Sequence, residues 1–174
     1  MSIDLTTVGG RVLFTAEHAA DVRAALIEAV KRDAYLRGVD LRDADLRDAD
    51  LQGADHAEVA IARTRILPDE GEVIGWKQAA GLNGPVIVKL SIPSDAKRSH
   101  GAGRKCRAAQ AKVLAITDLS GNAVDEAHSR WDAKFLYRVG ETVVPREPFD
   151  DNMWNECASG IHFYITRLEA ENHL

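Results

Sequence analysis

Apolar and polar positions follow three different rhythms along this chain. Val12-Leu13-Phe14, after Gly9-Gly10, reads as a short strand. Over Thr15–Lys31 the spacing becomes helical. Val22, Leu26, Ala29 and Val30 fall on one face, and Thr15 can serve as the N-cap. From Ala34 the period is five: Ala-Tyr-Leu-Arg-Gly, Val-Asp-Leu-Arg-Asp, Ala-Asp-Leu-Arg-Asp, Ala-Asp-Leu-Gln-Gly, then less regular units. The central position is Leu36, Leu41, Leu46, Leu51, His56, Ile61 and Ile66, and a small residue stands two places before it. Neither the period of a helix nor that of a strand produces this, and a fixed short repeat points to a solenoid. Pro68-Asp69-Glu70-Gly71 reads as a turn that closes the repeat. Beyond it, Val73-Ile74, Val86-Ile87-Val88, Val113–Ile116, Phe135-Leu136-Tyr137 and Ile161–Ile165 read as strands. Thr166-Arg167-Leu168-Glu169 is a capping box that opens a last helix.

The five-residue pattern of small residue, Asp, Leu and two polar residues resembles the pentapeptide-repeat family. That resemblance implies a right-handed quadrilateral β-helix of four repeats per turn, with the central and small positions inside. The expected fold is therefore mixed: a helical cap over 1–33, a short β-helical solenoid over 34–68, and a separate α+β domain over 72–174. His56 takes an inward Leu position and is expected to be a tolerated replacement.

Composition narrows the class. No apolar run approaches the roughly 20 residues of a membrane helix, and the N-terminal residues lack the basic and apolar regions of a signal peptide. Two cysteines, Cys106 and Cys157, make a disulfide framework a poor expectation and favour a reducing cytoplasm. The net charge is −5 and resides wholly in the first 70 residues. Such an acidic balance argues against a nucleic-acid partner. In the remainder, Lys89–Lys112 is basic and the stretch from Asp118 onward is acidic.

Candidate chemistry concentrates in the basic stretch. Lys97, Arg98, Arg104, Lys105 and Arg107 surround Gly101 and Gly103. Glycines let backbone N–H groups approach an anion, and arginines bind phosphate or carboxylate in bidentate fashion. An anion site built from Arg98, Arg104, Lys105 and Arg107, with His162 nearby and the 160–163 strand closing it, is one expectation. A solvated loop that pairs with the acidic C-terminal third is the other. If the segment after the glycines is extended, Lys105 and Arg107 share one face, and Arg104 and Cys106 the other. Cys157 and His162 could act as nucleophile and base, although buried structural roles are expected for both cysteines. No dinucleotide or phosphate-loop motif is present, no metal-ligand set is complete, and no cofactor is called for.

Residues 72–172 also resemble an uncharacterised domain of phage and giant-virus proteins that often follows pentapeptide repeats. The matching pieces are Gly75-Trp76-Lys77, Lys89-Leu90, Ile92-Pro93, Gly103–Ala108, Ala111–Leu114, Tyr137–Glu141, Asn155-Glu156-Cys157 and Gly160–Phe163. The resemblance implies a viral or prophage origin and action inside an infected bacterium. Three functions are compatible with these readings. The first is a non-catalytic protein that binds a nucleotide-like anion and sequesters a host defence signal. The second is an enzyme that uses Cys157 and His162 on a nucleotide-like substrate. The third is a protein–protein adaptor on the solenoid, which could also self-associate through it. None calls for a membrane.

Overall fold

A computed structural model describes residues 1–7, 9–37, 39–40, 65–100, 103–153 and 155–173. The chain divides into two compact units. One comprises Met1–Arg65, Gly101–Gly103 and Trp154–Glu156; the other comprises Ile66–His100, Arg104–Met153 and Cys157–Leu174.

In the first unit, β1 (Ile3–Thr6) and β2 (Val12–Ala16) form an antiparallel hairpin, and helix α1 spans Val22–Lys31. The expected helix start at Thr15 is corrected. Alternation continues through Thr15 into Ala16, so β2 keeps both residues, and the Thr15 hydroxyl donates to Asp4 Oδ1 at 2.6 Å. Asp21 caps the helix instead, accepting from Ala24 N–H at 2.7 Å. Leu5, Ala16, Ala25, Leu26, Ala29, Leu36 and Val39 are buried here.

The expected β-helix is also corrected. Among the described residues the strands form three antiparallel sheets, with two short helices and no turn of a β-helix. Leu36 and Val39 are buried as their inward register predicts. Yet Val39 bridges Thr7 in antiparallel fashion, whereas a β-helix stacks its turns in parallel. The inward positions Leu41, Leu46, Leu51, His56 and Ile61 lie outside the described residues.

The second unit was expected to be α+β and is predominantly antiparallel β. Its largest sheet runs β10-β7-β4-β3-β8-β9, from β3 (Val73–Gly81), β4 (Gly84–Ile92), β7 (Ala111–Asp118), β8 (Glu126–His128), β9 (Leu136–Arg138) and β10 (Thr142–Val143). A smaller sheet runs β11-β6-β5, from β5 (Arg98–His100), β6 (Cys106–Ala108) and β11 (Ile161–Phe163). Most successive strands from β3 to β10 follow one another closely in sequence, which leaves little chain for helices between them. The helix α2 (Arg167–Glu171) carries the expected capping box on Thr166 and Glu169. The five strand regions predicted for this unit fall in or beside β3, β4, β7, β9 and β11; β5, β6, β8 and β10 carry too few apolar residues in sequence to announce themselves.

The core lies under β3, β4 and β7, with Val88, Leu90, Ile92, Val113, Ile116 and Phe163 fully or nearly fully buried. Gly75 admits the Phe163 ring: a Cβ there would stand 2.4 Å from Phe163 Cδ2. No helix among the described residues is long and apolar enough to cross a membrane.

Candidate functional site

One edge of β3 pairs with β4 along its whole length. The other edge has two partners. Trp76 exchanges backbone hydrogen bonds with Tyr164, just past β11, at 2.7 and 2.8 Å, while Ala80 pairs with His128 of β8. The strands beside β3 therefore separate between residues 76 and 80. Lys77 and Gln78 lie at that gap, and a cavity of about 790 Å³ opens there. Its walls come from the connection between β8 and β9, from Tyr137 of β9, from residues 145–147, and from the segment Cys157–His162 that enters β11.

Val73, Gly75, Lys77 and Ala79 share the inward face of β3 by simple alternation. Lys77 is thus a lysine in an apolar register. Its Nζ donates to the Tyr137 hydroxyl at 2.6 Å and stands 4.7 Å from the ring centroid of the same residue. Desolvation lowers the Lys77 pKa to about 8 and pushes that of Tyr137 well up. No carboxylate among the described residues pairs with Lys77, Lys105 or Arg130, all of which line the cavity. Of its two acids, Asp132 is already bonded to Arg146 at 3.1 Å, and Glu147 is exposed. Arg130 is held by Gln78 Oε1 and the His173 carbonyl.

Two histidines report the resulting field. His162 is lowered to about 4, first by burial and then by Lys105, Lys77 and Arg107; its Nε2 lies 2.9 Å from the Ala158 carbonyl. His173, 2.8 Å from the Tyr164 hydroxyl, is lowered by burial and by Lys105, Arg130 and Lys77. Because the folded His162 resists protonation, its contribution to stability is fully present above about pH 6.5. It is lost as pH falls from there through about 4. Equilibrium urea unfolding should therefore show stability dropping across that window, and His162→Gln should flatten the drop. Parallel pH profiles for the two proteins would count against this environment for His162.

The cavity is also aromatic. Phe135 and Tyr137 pack with centroids 5.1 Å apart, Tyr164 adds a wall, and Trp131 is 84% exposed beside the opening.

The sequence-predicted anion set is divided. Lys105 and His162 line the cavity; Arg98, Arg104 and Arg107 do not. Arg107 stands opposite His162 in the β6–β11 pair. Residues 149–152, however, cover Arg107. It is 1% exposed and donates to the carbonyls of Asp150, Asn152 and Ser159 at 2.9, 2.7 and 3.0 Å, with its guanidinium 5.4 Å from the Phe149 ring. Arg98 Nη1 donates to the Gly71 carbonyl at 2.8 Å. Arg104 pairs with Glu169, and Lys97 with Asp151 at 2.7 Å, so part of the basic stretch does neutralise the acidic C-terminal third. Cys106 is buried as expected, but Cys157 is exposed, with Lys105 Nζ 3.5 Å from its Sγ. The structure shows no hydrogen bond between Cys157 and His162. Among the described residues no group of His, Cys, Asp and Glu could hold a metal ion.

Lys77, Tyr137, Arg130 and Gln78 were missed as site residues. The signal for Lys77 was its charge in the alternating series Val73-Gly75-Lys77-Ala79; Arg130 and Gln78 carried none.

Comparison with known proteins gives a family match over a span that holds all the cavity-lining residues except His173. Residues 63–170 match a family of unknown function (DUF5758), and residues 23–55 match pentapeptide repeats, an earlier span than the 34–68 read from the register. The uncharacterized protein L223 of Acanthamoeba polyphaga mimivirus is 36% identical over 97 residues. The match covers 50% of this chain and 61% of that protein. No solved structure matches.

Proposed function

The chain belongs to the family of unknown function DUF5758, and from the cavity in this domain we propose that it binds a small, ring-bearing anion of nucleotide type. The observation that carries this reading is the convergence of Lys77, Lys105 and Arg130 on one cavity without a carboxylate partner among the described residues. Three cations facing one cavity favour an anionic guest, and the volume lies within the usual ~300–1,000 Å³ of ligand pockets. Trp131, Phe135 and Tyr164 supply faces on which a ring can stack. The viral relative supports a role in infection, and sequestration of a host nucleotide signal is the form of binding that needs no chemistry.

The test is a panel of nucleotides and cyclic nucleotides titrated against the wild type, Lys105→Ala, Arg130→Ala and Arg98→Ala. Charge-assisted contacts contribute about 1.5–3 kcal/mol each, so Lys105→Ala and Arg130→Ala should each weaken binding roughly ten- to hundredfold. Arg98→Ala, outside the cavity, should leave affinity unchanged. If no phosphate-bearing ligand binds the wild type more tightly than millimolar, the reading is wrong.

A further inference from the structure

We propose that the Lys77 amine is a nucleophile that forms an imine with a phosphate-bearing aldehyde or ketone in the cavity. This inference rests on the anion-binding reading and adds a covalent step to it. Three features of the site carry it. Lys77 is placed at the gap in the sheet, where its side chain meets the cavity. Its hydrogen-bond partner is the Tyr137 phenol, and among the described residues no carboxylate pairs with it to hold the amine in its charged form. Lys105 and Arg130 line the same cavity and can anchor a phosphate while a carbonyl reaches Lys77.

The lowered pKa of Lys77 supports this chemistry, since the neutral fraction of the amine at pH 7 to 8 is substantial where an ordinary lysine has almost none. Tyr137 supplies the matching proton donor. Its phenol stays protonated and lies 2.6 Å from Nζ. The step balances without any co-reactant. The neutral amine adds to the carbonyl carbon and gives a carbinolamine. Tyr137 delivers a proton to the departing hydroxyl, which leaves as water. The nitrogen loses its remaining proton to the tyrosinate as the C=N bond forms, and the phenol is restored.

Pyridoxal 5′-phosphate is a suitable probe because it combines a ring, a phosphate and an aldehyde. Pyridoxine 5′-phosphate has the ring and phosphate and no carbonyl, and so reports binding alone. Wild-type protein would be treated with substoichiometric pyridoxal 5′-phosphate, reduced with borohydride, digested and mapped by mass spectrometry. The expected result is one dominant adduct on Lys77, absent in Lys77→Met, with pyridoxine 5′-phosphate competing against its formation. Tyr137→Phe should slow adduct formation at least about tenfold even at saturating pyridoxal 5′-phosphate, where weaker binding alone does not lower the rate. If pyridoxine 5′-phosphate binds but the adducts scatter over surface lysines, the covalent inference is overturned and the binding reading survives. If neither compound binds, and the nucleotide panel also fails, both fall together.

Discussion

Arg107→Ala is expected to destabilise the second unit by roughly 3–6 kcal/mol, close to the whole stability of many domains of this size. The guanidinium is buried and donates to three backbone carbonyls, of Asp150, Asn152 and Ser159. Removing it takes one charged donor from each of these carbonyls and opens a void beside the Phe149 ring. Each hydrogen bond to a charged donor contributes about 1.5–3 kcal/mol, and relaxation or water entry recovers part of the loss. Arg107→Lys should fall between the two, because an ammonium cannot reach three separated carbonyls in the planar geometry of a guanidinium. Urea unfolding at neutral pH is the measurement. A loss below about 1 kcal/mol for Arg107→Ala would show that the 149–159 segment finds other donors and that Arg107 is not its organiser.

The opposite sign is expected at Lys77. Its pKa falls from 10.5 in the unfolded chain to about 8 in the folded one, through desolvation. The charged form is thus less stable in the fold than in water, and the unfolded chain binds more protons between pH 8 and 10.5. Stability attributable to this group is full above about pH 10.5, declines as pH falls to about 8, and stays at its reduced level below. At neutral pH the cost is about 1–3 kcal/mol after allowance for the partial exposure of the residue. Lys77→Met keeps the apolar stem and removes the charge, so it should be more stable than wild type at pH 7 by about that amount. The gain should shrink toward high pH. The same variant should lose anion binding. A variant that is both less stable and unchanged in binding would make Lys77 a structural residue after all.

These two residues also show what sequence can and cannot disclose. Both are cations withdrawn from bulk water, yet Arg107 announced itself through a dense basic run and Lys77 stood alone between Trp76 and Gln78. Local pattern identified the strands of the large sheet, because Val86-Ile87-Val88 and Val113–Ile116 are apolar enough to be strands in any context. It also identified the capping box at Thr166. It did not reveal that residues 149–152 fold over Arg107 and not over Lys105, a decision made by contacts between segments more than forty residues apart. The helix start was misplaced for a related reason. Thr15 is a good cap by type, and only its pairing with Asp4 across the hairpin commits it to a strand. The α+β expectation failed because β5, β6, β8 and β10 are two or three residues long and gain their strand character from neighbours. The cavity has no sequence signature of its own, since its shape follows from where two strands leave a third.

That divergence separates what must be conserved from what can vary. The Trp76–Tyr164 and Ala80–His128 contacts fix the ends of the gap, and the paired strands β3, β4 and β7 hold the core on the opposite edge. Residues 129–135 and 145–147, which form much of the cavity wall, are connections outside those ladders. Their length and composition can change without disturbing a single rung of the β3–β4 pairing. Relatives sharing this scaffold can therefore carry cavities of different size, and insertions within the family should concentrate in these two connections and spare the strands.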